Sequence, residues 1–230
     1  NALAVLYRIP TSPMPDILTK LGSALRGPVG PLRSSAADGR IVSPYTSGYE
    51  VRARMDTGDT LAALDIIRRA WAPMRQGGAY YSGATWEYVD LQGLPGLGSG
   101  TSLAHPWSSG PTGALSAYVL GIRPLQPGFR TWLAEPQPGD LSWARGSVPT
   151  PHGPIQLEWS KRDAHLRMSV TVPAETQCFA GIPVRAGSAR IEVNGRARNR
   201  AAPPDAPARP GYAYVGPLAS GVHAVTESQD

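Results

Sequence analysis

The sequence is poor in the residue types that mark several large classes of protein. A single cysteine, Cys178, stands among 230 residues, so no intrachain disulfide can form. No apolar run approaches the roughly 20 residues of a membrane-spanning helix. Charged residues make up only 17% of the chain. The arginines lie among prolines and alanines, whereas nucleic-acid-binding faces interleave basic and aromatic residues. The composition therefore favours neither a membrane nor a nucleic-acid partner, and it leaves localisation and oligomeric state open.

Aromatic residues, glycine and proline are plentiful, with six Trp, nine Tyr, 26 Gly and 24 Pro. The aromatic content indicates a packed globular protein. Cys178 is expected to be a buried small hydrophobe, and the core or a domain interface is expected to hold Trp71, Trp132, Trp143 and Trp159. Because the first seven residues, NALAVLY, follow an apolar helical pattern without an initiating methionine, we expect the chain to be part of a longer protein.

Helical patterns dominate the first half of the chain. A helix is predicted over 16–26, capped by its first residue. A second helix over 44–57 begins with proline at its first position. Gly58 ends that helix and Asp59 caps the next, so the two helices should form an antiparallel hairpin. A further helix is predicted over 111–120, with a glycine after it as a stop.

The pattern changes to short alternating runs after residue 124. Asn194-Gly195 is typical of a hairpin turn, and the runs that alternate apolar and polar residues between turn residues are 153–159, 165–172, 190–193, 212–215 and 221–225. The fold class predicted is therefore α+β with two domains. The boundary is placed near residue 135, with helical hairpins over 1–135 and a small antiparallel β domain over 136–230.

The stretch 83–122 carries the chemistry most suggestive of function. A carboxylate follows an indole at Trp86-Glu87, and a histidine precedes another indole at His105 and Trp107. Aromatic faces stack on the C–H surface of a sugar, while a carboxylate or an imidazole can bind hydroxyls or move a proton. The residue types therefore point to a sugar-processing site on loops.

Ordinary structural roles are open for the same residues. Glu87 could be an exposed glutamate after a core tryptophan, and His105 a loop histidine bonded to backbone. Trp107 could anchor the helix that follows it. The histidines elsewhere, His152, His165 and His223, lack the spacing of metal ligands, so neither a metal nor a cofactor is predicted.

Taken in order, the motifs resemble the C-terminal part of bacterial and fungal α-L-rhamnosidases of the inverting type. No one motif is decisive, but the ordered set is specific and covers nearly the whole chain. The matching motifs are NALAVLY (1–7), SPY (43–45), GATWE (83–87), SLAHPWS (102–108), YVLGI (118–122), PGF (127–129), GSVPTPHG (146–153) and IEVNG (191–195).

The resemblance implies an (α/α)6 catalytic barrel closed by a C-terminal β-sandwich, with only the later part of the barrel present. It implies hydrolysis of terminal α-L-rhamnosyl residues of a glycoside or polysaccharide with inversion. Glu87 falls on the family's general base and His105 on a histidine near the rhamnose subsite. Trp86, Trp107 and Tyr45 would line the same cavity. No cofactor is implied.

The chain also departs from the family pattern. The GATWE segment is about one residue short, Pro106 stands where glycine is usual, and nothing matches the acidic upstream segment that supplies the general acid. Two other interpretations stay open. One is a non-catalytic carbohydrate-binding or degenerate barrel protein, and the other is a related six-hairpin glycosidase acting on another sugar.

We predict that the 230-residue chain alone does not hydrolyse p-nitrophenyl α-L-rhamnoside, because inverting hydrolysis needs a second carboxyl group. Release of p-nitrophenol should stay at the rate of a buffer blank. Turnover by the isolated polypeptide, at a rate proportional to its concentration, would contradict this expectation.

Overall fold

A computed structural model of the protein describes residues 1–9, 13–32, 41–163, 165–184, 190–204 and 206–227. The chain divides into two compact units, Asn1–Ala114 and Leu115–Asp230. No helix among the described residues is long and apolar enough to cross a membrane. The assignment of 1–135 and 136–230 to a catalytic and a β domain stays a prediction.

The N-terminal unit is helical, with α1 (Ala2–Leu6), α2 (Met14–Ala24), α3 (Pro44–Thr57), α4 (Thr60–Arg75) and α5 (Gly110–Ala114). The predicted hairpin of α3 and α4 is confirmed. The Ser43 hydroxyl accepts a hydrogen bond from the Thr46 amide at the start of α3. Gly58 ends the helix in the left-handed region, at φ 89°, which glycine adopts without steric cost.

Two predicted helix termini were wrong. α2 begins at Met14, before the predicted cap Asp16, because Pro15 fits a first turn, where its missing N–H would be unpaired anyway. The helix predicted to reach residue 120 is α-helical only to Ala114 and continues as a π-helical turn over Leu115–Val119. Gly121 does follow as the stop, at φ 92°.

A buried arginine ties the hairpin together. Arg54, 7% exposed, donates to Glu50 Oε1 from Nε and Nη2 at 2.8 and 2.6 Å. It also donates to Asp59 Oδ2 at 2.5 Å and to the Leu18 carbonyl of α2 at 3.0 Å. Asp59 is the N-cap residue of α4, as predicted, but its side chain makes an ion pair across the turn and no capping hydrogen bond.

The C-terminal unit contains two sheets rich in antiparallel pairs, which confirms the β-rich character predicted for this part. The strands are β1 (Ile122–Pro124), β2 (Thr131–Ala134), β3 (Trp143–Val148), β4 (Ile155–Arg162), β5 (His165–Val172), β6 (Gln177–Pro183), β7 (Ile191–Val193), β8 (Arg196–Arg198), β9 (Tyr212–Leu218) and β10 (Gly221–Glu227). One sheet has the order β1-β2-β6-β9 and the other β3-β4-β5-β10-β7-β8. Among the described strands, β2 and β6 are the one pair that runs in parallel.

The predicted runs correspond to β4, β5, β7, β9 and β10, whereas the alternating strand β3 was missed. The hairpin turn at Asn194-Gly195 is confirmed, with both residues at positive φ between β7 and β8. β2 and β6 were missed because their residues are almost all buried, so they show no alternation. β1 and β2 precede residue 135, and strand structure therefore begins before the predicted boundary.

Tryptophans distinguish the interior of this unit from its surface. Trp132 and Trp159 are buried, and their indole N–H groups donate to the Thr176 hydroxyl and the Val119 carbonyl. Cys178 is fully buried, as predicted. Trp143 is 66% exposed, so the core prediction was wrong for this residue.

A buried carboxylate joins the β1–β2 hairpin to the chain near β9. Glu135 is 1% exposed. Its Oε1 accepts from Arg123 Nη2 at 2.6 Å and from Arg209 Nε at 3.0 Å, and its Oε2 accepts from the Tyr214 hydroxyl at 2.5 Å. Burial alone would raise the pKa of Glu135. The Arg123 charge, the Tyr214 hydrogen bond and the Arg209 charge outweigh burial and hold the pKa below its ordinary value.

Because the folded-state pKa of Glu135 lies below its unfolded value of about 4.3, its carboxylate stabilises the fold above that pH. This stability is lost as the pH falls through the folded-state pKa. We therefore expect Glu135→Gln to lower the free energy of unfolding at pH 7 by about 3 kcal/mol and to flatten its acid dependence.

Urea unfolding between pH 7 and pH 2 measures this difference. Glu175→Gln is the matched control, since the Glu175 side chain is 86% exposed and should leave the profile unchanged. Equal acid slopes for the wild type and Glu135→Gln would contradict the assignment.

Candidate active site

Two backbone hydrogen bonds join the segment that holds Glu87 to the segment that holds His105. The His105 amide donates to the Thr85 carbonyl at 2.7 Å, and the Glu87 amide donates to the Ser102 carbonyl at 2.9 Å. The Thr85 hydroxyl adds a bond to the His105 carbonyl at 2.8 Å. These hydrogen bonds therefore hold the predicted base and the predicted sugar-binding histidine on adjacent chain segments.

The glycine-rich loop between these segments is held by its own hydrogen bonds. Asp90 Oδ1 accepts from the amides of Gln92 and Leu94 at 2.9 and 2.8 Å, which is the local turn that aspartate favours. Val89 bonds in both directions with Val42, at 2.7 and 3.0 Å. This second pairing connects the loop to the chain just before α3, the helix whose first turn carries Tyr45.

A close approach of two glycines sets the distance between α3 and α5. A Cβ added at Gly110 would lie 2.8 Å from the Gly48 Cα, and one added at Gly48 would lie 3.2 Å from the Gly110 Cα. Cβ atoms do not come within 3 Å of a backbone atom without displacing it. Glycine at both positions therefore allows the chain around Trp107 to approach the start of α3.

A core indole fixes the turn that carries Trp107. Trp71 of α4 is 6% exposed, and its Nε1 donates to the Ser108 carbonyl at 2.8 Å. Pro106–Ser108 form a 3₁₀ turn at this point. The prediction that Trp71 is a core residue is confirmed, and its hydrogen bond positions the exposed indole one residue earlier.

Tyr45, Tyr49, His105 and Trp107 form an aromatic cluster on the surface of this unit. The ring centroids lie 5.1 Å apart for Tyr45 and Trp107 and 4.4 Å apart for His105 and Trp107. Tyr45 is 39% exposed and Trp107 is 54% exposed. The structure thus brings together three of the predicted sugar-binding residues.

Tyr49 is the member of the cluster that lies outside the set of predicted site residues. Its hydroxyl donates to the Tyr45 hydroxyl at 3.0 Å, and the two rings meet edge to face. That hydrogen bond is the main reason why the pKa of Tyr49 is raised above its ordinary value. The i, i+4 spacing of two tyrosines on a predicted helix was the available signal.

Trp86 lies apart from the exposed cluster. It is 2% exposed, its amide donates to the Met74 sulfur at 3.3 Å, and its ring meets Tyr80 edge to face at 6.5 Å. Its Nε1 has no hydrogen-bond partner among the described residues. Successive side chains of an extended segment point to opposite sides, so Trp86 packs inward while its neighbour Glu87 is half-buried.

Glu87 retains a carboxylate that its surroundings engage only weakly. Oε2 accepts from the Ser102 amide at 3.4 Å, and no other described residue bonds this side chain. A carboxylate that is weakly engaged can accept a proton from water, and the exposed rings of Tyr45 and Trp107 can stack on a sugar ring. Among the described residues no group of His, Cys, Asp and Glu could hold a metal ion.

Comparison with known proteins places the family match in the C-terminal unit. Residues 121–197 match the family described as bacterial alpha-L-rhamnosidase C-terminal domain. An alpha-L-rhamnosidase of Alteromonas sp. (strain LOR) is 41% identical over 56 residues, which are 24% of this chain and 6% of that protein. The matched domain contains none of the residues assigned to catalysis or sugar binding.

Two solved structures share the fold. An alpha-L-rhamnosidase from Dictyoglumus thermophilum superposes with a TM-score of 0.65 at 18% identity, over 81% of this chain and 21% of that one. The Streptomyces avermitilis alpha-L-rhamnosidase complexed with L-rhamnose gives 0.59 at 23% identity, over 78% and 17%. The matched regions span less than a quarter of each relative.

We predict that Gly110→Ala disrupts the contact of α3 with α5 and lowers the free energy of unfolding by about 1–3 kcal/mol. Gly113→Ala in the same helix is the matched control, because no atom lies within 4 Å of its added Cβ and alanine favours a helix. Chemical unfolding of the full chain compares the two. Equal stability of both variants would show that the glycine contact does not limit the packing.

Proposed function

We propose that this chain supplies the general base and part of the sugar pocket of an inverting glycoside hydrolase. The chain resembles the C-terminal portion of α-L-rhamnosidases and is homologous to them. The substrate class proposed is a glycoside or polysaccharide with terminal α-L-rhamnosyl residues. The observation that supports the proposal is the pair of backbone hydrogen bonds that joins the Glu87 segment to the His105 segment, together with the contact of His105 with the exposed Tyr45–Trp107 pair.

In this proposal Glu87 accepts a proton from the attacking water. The weak contact with the Ser102 amide leaves the carboxylate able to bind that water. The general acid would come from a part of the enzyme outside these 230 residues, with its carboxyl group about 6.5–9.5 Å from Glu87, as inversion requires. Trp86 would support Glu87 from the core side, since its indole is buried.

The exposed aromatic cluster would bind the sugar ring. Tyr45 and Trp107 present partly exposed rings at one place, and such rings stack on the C–H face of a pyranose. His105, in contact with Trp107, would bind a hydroxyl. The α3–α4 hairpin would be one of the hairpins of an (α/α)6 barrel, and the two sheets would form the C-terminal β-sandwich.

One observation favours a second candidate function. The family match covers residues 121–197, a C-terminal domain without the candidate catalytic residues. If the complete protein lacked the general acid, the aromatic cluster would bind a carbohydrate without hydrolysing it.

A related glycosidase that acts on another sugar is the other alternative. Hydrolysis rates for a panel of aryl glycosides distinguish it from the first proposal, in which the rhamnoside should react fastest.

The test uses the complete enzyme on p-nitrophenyl α-L-rhamnoside. We expect Glu87→Gln to lower kcat by about 10²–10⁴-fold, the usual contribution of a general base. Glu175→Gln, at an exposed glutamate, is the control and should keep full activity. The anomeric configuration of the first product, read by proton NMR, should be opposite to that of the substrate.

Full activity of Glu87→Gln would remove this residue from the chemistry. Retention of configuration would rule out an inverting mechanism. If the complete wild-type protein does not hydrolyse the substrate, a carbohydrate-binding protein without catalytic activity becomes the favoured interpretation.

A further inference from the structure

In the six-stranded sheet, β3, β4 and β5 share an exposed face that is mainly polar. Along β3 the exposed side chains are Trp143, Arg145 and Ser147, and they alternate with more buried residues. β4 and β5 show the same alternation, with Leu157, Trp159 and Met168 among the residues of the buried side. The sheet therefore has a core face that is already packed and a second face that is exposed.

Strand register arranges the exposed side chains in rows across this face. Arg145 lies opposite Glu158, which lies opposite Ser169. Ser147, Gln156 and Thr171 form the adjacent row by the same register. These two rows line a groove of about 420 Å³.

A third row contains Trp143, the exposed indole of β3. It lies opposite Ser160, which lies opposite Arg167. Trp143 is two residues from Arg145 on the same face of β3, so the indole stands beside the groove and not within its lining.

The polar side chains of the groove have unused hydrogen-bonding capacity. Arg145 and Glu158 face each other but form no ion pair, and within the described part of the chain no partner bonds the side chains of Arg145, Gln156 and Glu158. Together they offer guanidinium and amide donors and carboxylate and amide acceptors. A ligand with many hydroxyl groups can pair with both kinds.

An indole at the edge of a polar groove matches the two-sided chemistry of a sugar. The Trp143 ring is 66% exposed, and it can stack on the apolar C–H face of a pyranose. The sugar hydroxyls then meet the polar side chains that fix orientation. Four residue steps from Trp143 to Ser147 span roughly 13 Å along the strand, a length that suits a chain of sugar units better than a single ring.

We propose that this groove, defined by the exposed face of β3, β4 and β5, binds the saccharide chain of a polysaccharide substrate through Trp143. The proposal rests on the proposed carbohydrate-directed function of the chain. It assigns a binding site to the C-terminal unit, separate in sequence from the residues proposed for catalysis. Trp143 holds the chain by stacking, and Arg145, Gln156 and Glu158 bind hydroxyl groups.

The first experiment is native affinity electrophoresis of the 230-residue chain in gels that contain rhamnogalacturonan I or galactomannan. Rhamnogalacturonan I bears rhamnose and galactomannan does not. We expect rhamnogalacturonan I to retard the wild type, and Trp143→Ala to weaken the association roughly tenfold. Trp143→Phe should retain part of the binding because it keeps an aromatic face.

Two control variants distinguish binding at the groove from binding elsewhere on the chain. Leu61→Ala removes an exposed apolar side chain of α4, in the other unit, and should change retardation less than twofold. Trp107→Ala removes the central ring of the aromatic cluster in the N-terminal unit and should leave the Trp143-dependent retardation in place. Far-UV circular dichroism and thermal unfolding of each variant check that the fold is kept.

The groove assignment is overturned if neither polysaccharide retards the wild type, or if retardation depends on Trp107 and not on Trp143. Self-association is the other possible outcome. If neither polysaccharide binds, but the sedimentation coefficient of the wild type rises with protein concentration and that of Trp143→Ala does not, the exposed indole is a contact between copies of the chain.

The complete enzyme separates this inference from the proposed function. Trp143→Ala should leave kcat/KM for p-nitrophenyl α-L-rhamnoside unchanged and lower it for the polysaccharide. A complete enzyme without rhamnosidase activity, but with Trp143-dependent retention, would refute the proposed function and leave the groove assignment standing.

Discussion

Where Gly48 and Gly110 meet, the backbones of α3 and α5 come closer than any side chain larger than hydrogen allows. The geometry of the candidate site depends on this contact. Tyr45 lies at the start of α3, and Trp107 lies in the turn before α5, so the gap between the helices fixes the distance between the two rings. The Trp71 bond to the Ser108 carbonyl restrains the same turn from the core. A binding surface made of loops is thereby held by packed helices.

Each unit also encloses a charged group that its neighbours must neutralise. Arg54 joins α2, α3 and the turn into α4 through Leu18, Glu50 and Asp59. In the other unit, two arginines and a tyrosine surround Glu135. Replacing a buried ion pair with apolar groups often costs nothing, whereas removing one partner is costly. These networks therefore select one arrangement of their elements, because any other arrangement leaves a buried charge unpaired.

The elements that could be predicted from the sequence are those whose pattern is contained in a few neighbouring residues. The α3–α4 hairpin follows from Gly58 and the surrounding helical periodicity, and β4, β5 and β10 follow from alternation across a half-exposed sheet. β2 and β6 are buried on both faces, and nothing in their composition separates them from core helices. Tyr45, His105 and Trp107 were predicted as site residues from a family resemblance. The burial of Trp86 and the hydrogen bond from Tyr49 to Tyr45 depend on tertiary packing, which the local sequence does not show. Trp143 was misassigned because an exposed indole on a sheet has the same local sequence pattern as a buried one.

The two proposed carbohydrate surfaces differ in the kind of binding that they can provide. The cluster around Trp107 is mainly aromatic, and backbone hydrogen bonds join its His105 segment to the segment of Glu87, so in the proposed function it would orient one sugar ring. The groove beside Trp143 is mainly polar and contains no candidate catalytic residue, so it can only hold a chain. If both surfaces bound one polysaccharide, attachment at the groove would raise the effective concentration of its ends at the reactive site without adding a contact there. A short aryl glycoside would gain nothing from this arrangement. The groove would therefore increase specificity for long substrates, while the reaction itself would depend on the residues around Glu87.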